Sequence, residues 1–370
     1  MRIIFTVTND LTYDQRMHRI CGSLAANGHQ VMLLGRALQQ SIPLEIKPLE
    51  QKRLSCFFHK GFAFYAEYNL RLFWYLLFAR FDAVCSIDLD SLPAGCLATV
   101  IRRKKRVFDA HEYFSEVPEL VQRPFVKFFW EFVARMCLSI YKHAYTVGPA
   151  LADIFEKKYS LKFGVVRNIP RRYSKPDKKV DFPQLKYNKK ILLYQGALNK
   201  GRGIETLLES IKYLENVQLV LAGEGDLSQV LRQKAKDWDL LDRVVFLGNV
   251  KPEDLKILTE QAWLGLNLLE NCGLSYYYSL ANKFFDYVQV GVPVLTMDFP
   301  EYRALNAQHE VAILLTGLEP EMVVEKVHSL MNRDELYKKL SNNCLIARED
   351  WNWEREEQTL LAFWKEVAST

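Results

Sequence analysis

No uninterrupted apolar run in the chain is long enough to cross a bilayer as a helix, which takes about 20 residues. The most apolar stretch, 57–81, is broken by His59, Lys60, Glu67, Arg71 and Arg80. The opening residues lack the long apolar core and small-residue cleavage site of a signal peptide, so residues 2–8 are expected to be a strand. The seven cysteines are odd in number and have no paired or metal-ligand spacing, which argues against a disulfide framework and for reduced thiols in a cytosol. No low-complexity tract is present. Asp88 and Asp90 suggest half of a metal site, but no third ligand accompanies them. No metal is expected there, and Asp90 or Ser91 is read as a helix N-cap.

What is present points to a folded two-domain protein of 370 residues, 49% of them hydrophobic and 25% charged. The charge is unevenly divided. Residues 1–180 hold 28 Lys+Arg against 16 Asp+Glu, net +12, and the remainder holds 21 against 28, net −7. A basic first half suggests an anionic partner: a membrane surface, a phosphorylated lipid or nucleic acid.

Strand and helix patterns alternate through the first half. Strands are expected at 2–8, 30–34, 83–87, 106–109, 144–147 and 164–167, with an irregular segment at 44–49. Helices are expected at 14–27, 62–80, from 92, at 125–142 and at 150–158. The pattern ends at Asn168-Ile169-Pro170, and 171–190, rich in Lys, Pro, Asp and Tyr, reads as a linker. Alternation resumes with strands at 191–196, 218–222, 244–247, 264–268 and 292–296 and helices from 204, at 228–238, from 253 and, in the stretch 279–294, up to Gly291. The expected organisation is a domain over 1–170, a linker over 171–190, a second domain over 191–350, and a helix over 351–370 returning towards the first. Each domain is α/β, Rossmann-like and doubly wound. The two are expected to face each other across a cleft, with ligands beyond the carboxyl ends of the strands.

Several places could carry chemistry. In 279–294, Leu280, Phe284, Phe285 and Val288 form one buried helix face. Asn282, Lys283 and Asp286 lie near a helix start, where free amides and the helix dipole attract an anion. An ordinary surface helix would show the same spacing. Residues 196–203 nearly match a phosphate-cradling P-loop, but Arg202 stands where lysine belongs and Gly203 where Ser or Thr would hold magnesium. That argues against a metal-assisted triphosphatase and for a metal-free diphosphate site beside Gly196 and Gly203, or for a plain basic turn. Gly223-Glu224-Gly225 and Gly248-Asn249-Val250 end strands at the same edge, where the backbone near Asn249 and Val250 could meet a nucleobase. In the first half, His111 ends a strand and could bind a transferred group or steady charge. Asp10, Asp14 and Arg16 could line an acceptor side, with Asp14 equally readable as an N-cap. Helix 125–142 with Phe57 and Phe58 suits either a membrane interface or core packing.

Taken together, these motifs resemble the family-4 retaining glycosyltransferases of the GT-B fold. The resemblance runs from Asp14-Gln15-Arg16 and 24–31 through 108–112 and 166–170, then Gln195-Gly196, 202–205 and 221–225, to 279–294. It implies transfer of a sugar from a nucleotide-diphosphate sugar with retention, with no cofactor and no essential metal. Arg202, Lys283 and the amides near Ala281 and Asn282 would hold the diphosphate, Asp286 the ribose, and His111 the sugar. Tyr278 stands where the family's first glutamate falls, and Ala197 where arginine is frequent. The implied acceptor is a glycan or a lipid-linked molecule, at the cytoplasmic side and near an anionic membrane surface, with no nucleic acid partner. A GT-B-like nucleotide-sugar 2-epimerase and a non-catalytic nucleotide-sugar-binding protein are the alternatives.

Overall fold

The computed structural model describes residues 1–39, 41–175, 178 and 180–370, and all of their side chains but that of Glu119. It divides into two compact units, Met1–Arg167 with Glu356–Thr370, and Asn168–Arg355.

The first unit runs β1 (Arg2–Thr6), α1 (Gln15–Ala26), β2 (Gln30–Arg36), β3 (Glu50–Leu54), α2 (Gly61–Phe78), β4 (Ala83–Ile87) and α3 (Asp88–Ile101). It continues with β5 (Lys105–Ala110), α4 (Pro118–Val121), α5 (Pro124–Leu138), β6 (His143–Thr146), α6 (Pro149–Tyr159) and β7 (Phe163–Val165). The seven strands are parallel in the order β3-β2-β1-β4-β5-β6-β7. The strand order reverses between β1 and β4, the kind of place where such sheets hold ligands.

The second unit runs β8 (Lys190–Gln195), α7 (Ile204–Ser210), β9 (Val217–Ala222), α8 (Ser228–Asp237), β10 (Val244–Gly248), α9 (Pro252–Glu260) and β11 (Leu264–Asn267). After these come α10 (Leu274–Tyr277), α11 (Asn282–Gln289), β12 (Val294–Met297), α12 (Pro300–Gln308), β13 (Ala312–Leu315), α13 (Pro320–Met331) and α14 (Asp334–Asp350). Its six parallel strands follow the order β10-β9-β8-β11-β12-β13, with the reversal between β8 and β11. The buried side of α11 is Phe284, Phe285, Tyr287 and Val288. Tyr287 fits because β11 carries Gly265, where a Cβ would lie 2.3 Å from the ring. Trp351 closes this core against Phe284 and Phe285, at 6.2 and 6.0 Å between ring centres.

The last helix, α15 (Trp353–Ser369), serves the first unit from Glu356 onward. Trp364 lies 5.5 Å from the Phe5 ring, and Glu356 accepts the Arg167 amide at 2.7 Å.

Several elements differ from the sequence expectation. Segment 44–49 is irregular as expected, but the strand β3 after it was not expected; its charged residues Glu50, Lys52 and Arg53 sit on an edge that water can reach, so no apolar alternation marks it. Helix α3 begins at Asp88, so Asp90 and Ser91 lie within its first turn and neither is the N-cap. Ser91 instead bonds the carbonyls of Thr6 and Ile87. Helix α11 starts at Asn282, so Leu280, expected on its buried face, precedes it. Segment 171–190, of which Pro176, Asp177 and Lys179 lie outside the described residues, is not a free spacer. Phe182 and Leu185 are buried in the second unit's core, and Gln218 accepts the Lys186 amide.

Candidate functional site

In the second unit the loops after β8 and β9 are laced together. The Gly196 amide donates to the Ala222 carbonyl at 2.9 Å, Leu198 to Glu224 at 3.1 Å, and Leu227 to Leu198 at 2.9 Å. This close approach explains the glycines. A Cβ on Gly223 would lie 2.0 Å from the Gly196 carbonyl oxygen, one on Gly225 2.2 Å from Asn199 Oδ1, and one on Gly203 2.8 Å from Leu268 Cβ. The space left by their missing side chains is filled by neighbouring protein. Gly196 is different, because what lies over its Cα is Lys283, with Nζ 3.3 Å from the Cβ position.

Two cations converge on that place. Lys283 Nζ sits 3.7 Å from the centre of the Tyr194 ring, and Arg202 Cζ 4.8 Å from that of Tyr276. Among the described residues neither forms an ion pair, and Arg202 Nε is buried without a hydrogen-bond partner. Burial, and then the charge on Arg202, depress the Lys283 ammonium well below its ordinary pKa, with Asp286 opposing. A half-buried guanidinium and an ammonium that its charge destabilises form a site whose electrostatics an anion would complete.

Asp286, one turn beyond Lys283 on α11, accepts from Gln195 Nε2 at 3.0 Å, and Gln195 Oε1 accepts from Thr259 Oγ1 at 2.9 Å. The carboxylate is thereby oriented at the end of β8. Of the two amides expected at the helix start, that of Ala281 is engaged by Tyr302 Oη at 3.0 Å, and that of Asn282 opens α11. The loop after β10 is held beside the β9 loop by a Gly223–Gly248 bridge, with Asn249 exposed and Val250 half-buried. Tyr278 ends α10 with its ring 4.9 Å from Tyr277. The tyrosine that reaches Arg202 is Tyr276. Tyr194, Tyr276, Gln195 and Thr259 were missed in the sequence. The adjacency of Tyr194 and Gln195 to Gly196 was a usable signal for two of them.

In the first unit a chain of charges crosses the ends of β1, β4 and β5. His111 Nε2 lies 3.1 Å from Asp109 Oδ2, Arg16 Nη2 donates to Asp109 Oδ1 at 3.0 Å, and Arg16 Nη1 donates to the Val166 carbonyl at 2.9 Å. Burial opposes charge on Asp109, but Arg16 and His111 outweigh it and hold the carboxyl below its usual range. Burial likewise opposes charge on His111, yet Asp109 prevails and its pKa is raised. The His111 amide donates to Asp88 Oδ1 at 2.8 Å. Asp88 has a positive φ of 51°, and burial, reinforced by Glu112 and Asp90, pushes its carboxyl well up. Asp90, hydrogen-bonded by Thr8, is pushed up to about 6 by burial. Asp88 and Glu112 also line a small cavity with Tyr113, Phe114 and Tyr159.

His111 thus ends its strand half-buried and oriented. Arg16, 3% exposed, is locked inside the fold, so its expected place on an acceptor side is corrected. Asp14 caps α1, accepting the Met17 amide at 2.9 Å, and Asp10 accepts from Arg53 at 3.0 Å. Asp10 is thereby drawn into a local network rather than left facing an acceptor.

The family model for glycosyl transferases group 1 matches residues 177–345, and that for glycosyltransferase family 4 matches residues 15–171. The O-antigen chain mannosyltransferase RfbU of Salmonella typhimurium is 25% identical over 237 residues, which are 61% of each chain. The chain therefore spans about three fifths of the length of that curated relative. Among solved structures, sucrose-phosphate synthase from Thermosynechococcus elongatus superposes with a TM-score of 0.80 at 15% identity, covering 100% of this chain and 99% of the other. Anabaena HepE in complex with UDP-glucose gives 0.76 at 14% identity, covering 100% of both.

Proposed function

The chain belongs to the family-4, group 1 glycosyltransferases, with the two Rossmann-like domains of the GT-B fold, and from that premise we propose that it is a retaining sugar transferase. The donor is a nucleotide-diphosphate sugar and the acceptor a glycan or lipid-linked molecule of a surface polysaccharide or glycolipid. The observation that carries this reading is the pair of cations beside the loop after β8, Arg202 and Lys283, which form no ion pair among the described residues. A diphosphate supplies the missing counter-charge, and the same pair steadies the charge that grows on the departing nucleotide. Side-chain cations fill this role, so transfer is proposed to run without an essential metal.

Asp286, fixed by Gln195, is placed to accept from ribose hydroxyls. His111, oriented by Asp109, is assigned to the transferred sugar. No side chain is assigned as nucleophile; an oxygen of the donor diphosphate takes the acceptor proton. Uridine donors come first for testing, because HepE is a structural neighbour solved with UDP-glucose, and mannosyl donors second, because RfbU is a mannosyltransferase. The proposed location is the cytoplasmic side, peripheral to the membrane. The excess positive charge of residues 1–180 supports this, and no helix among the described residues is long and apolar enough to cross a bilayer.

The test incubates the purified chain with a panel of UDP- and GDP-sugars, with and without lipid-linked and glycan acceptors, in the presence of a chelator. Acceptor-dependent release of nucleoside diphosphate, with the product keeping the donor's anomeric configuration, is the expected result. Inversion would overturn the retaining mechanism, and loss of turnover in chelator the metal independence. Isomerisation without acceptor would mark the epimerase, and binding without turnover a non-catalytic protein.

A further inference from the structure

The first unit carries an apolar surface that its fold does not use. On α2, Phe64, Tyr68, Leu72 and Leu76 are buried at spacings of four, which accounts for the packing of the helix on the sheet. A second series at the same spacing faces outward: Phe62 is 73% exposed, Leu70 58%, Trp74 54% and Phe78 79%. Helix α5 repeats the pattern. Trp130, Ala134 and Leu138 are buried, while Phe125, Phe128, Phe132 and Met136 are exposed, Phe125 by 90%. A helix apolar on both its core side and its water side has something else to bury.

The two outward stripes are continuous. The Phe62 ring lies 6.0 Å from Phe129, and Tyr65 lies 5.3 Å from Trp130. The last turn of α3 adds exposed Leu97, Val100 and Ile101. Before α2, Glu67 accepts the amides of Phe57 and Phe58, which pins two more exposed phenyl rings beside the helix.

Among the described side chains, the charges around this surface that are outside ion pairs are of one sign. Lys60, Arg80, Arg103, Arg123, Arg135 and Lys142 are exposed around it. The carboxylates Glu67, Glu116 and Glu131 are each tied to a cation, to Arg71, Lys127 and Lys158.

We propose that the outward faces of α2 and α5, with the last turn of α3, form a docking face that inserts its aromatic side chains into the interface of an anionic phospholipid bilayer. The basic rim is complementary to the headgroups, and aromatic rings are suited to the boundary between headgroup and acyl chain. A second copy of the chain fits less well, because a two-fold contact would press two basic rims together. The inference deepens the peripheral placement proposed above by naming the surface and the lipid charge it takes. Lipid binding is read with no donor present, so its failure leaves the transfer chemistry untouched.

The test is flotation of the full chain with vesicles of phosphatidylcholine alone and with about one third phosphatidylglycerol. The expected result is recovery with the anionic vesicles, weakening between about 0.1 and 1 M salt, and quenching of Trp74 by brominated lipid that Trp74→Phe reduces. Phe125→Ser with Phe128→Ser is expected to lower partitioning at least about tenfold, with unchanged nucleotide binding. Leu241→Ser, an exposed apolar residue of the second unit, is expected to change nothing. If the double variant unfolds, Phe125→Ser alone decides, since that ring is almost wholly in water. Equal recovery on both vesicles, no recovery on either, equal partitioning of the variants, or a dimer that Phe128→Ser dissolves would each overturn the proposal.

Discussion

Arg16, in the first turn of the helix after β1, and Arg202, in the loop between β8 and α7, occupy matching places in the two sheets. Arg16 is held on the Asp109 carboxylate and the Val166 carbonyl, so its charge is neutralised inside the fold. Arg202 rests on an aromatic ring with Nε unpartnered and a second cation nearby. The difference lies two strands along from β1. β5 ends in a buried aspartate that reaches Arg16, whereas Arg202 forms no ion pair among the described residues. A cation near a strand end signals a ligand only where the fold has not already supplied its counter-ion.

The sharpest way to break this comparison is to remove each arginine. Arg16→Ala leaves Asp109 buried without its strongest partner and is expected to destabilise the first unit by about 3–5 kcal/mol, read by denaturant unfolding. If stability hardly changes, the account of Arg16 as an internal counter-ion fails. Arg202→Ala is expected to leave unfolding in place and to weaken nucleoside-diphosphate binding by roughly 1.5–3 kcal/mol. Unchanged affinity by calorimetry would remove Arg202 from the diphosphate.

Two smaller effects sharpen it. The Asp90 carboxyl, ordinarily at 3.8, is raised to about 6 in the folded state. A raised carboxyl gives stability below pH 3.8 that is lost as pH climbs through 6, since the unfolded chain releases its proton first. Asp90→Asn should therefore flatten the acid side of the stability profile and gain about 1–3 kcal/mol at pH 8 over wild type. A parallel profile for the two proteins would count against it. The smallest signal concerns Lys283, whose ammonium is disfavoured by burial and Arg202 until an anion arrives. At a pH alkaline enough to deprotonate part of Lys283 in the free protein, diphosphate binding should take up protons, seen as a dependence of the calorimetric heat on buffer ionisation enthalpy. Lys283→Met should abolish that dependence.

Much of the architecture was legible because parallel strands buried on both faces read as apolar runs, as in 83–87 and 191–194. The edge strand β3 was not, since Glu50, Lys52 and Arg53 give no such run. Segment 171–190 looked like linker because Phe182 and Leu185, which anchor it, are isolated apolar residues without a period. At the site, Arg202 and Lys283 could be found from local motifs. What surrounds them could not, since Tyr194 and Tyr276 meet those cations only through the three-dimensional path of the loops. The glycines admit two readings for a related reason. A bare Cα beside a strand end looks the same in sequence whether a phosphate or the adjacent turn occupies the space.

The return of α15 to the first unit has a consequence for synthesis on the ribosome. Phe5 emerges before its partner Trp364, which follows more than three hundred residues later. The amino-terminal sheet must wait with that surface uncovered while the entire second unit emerges and can close. In a nascent chain, the part made first is thus the last to be finished.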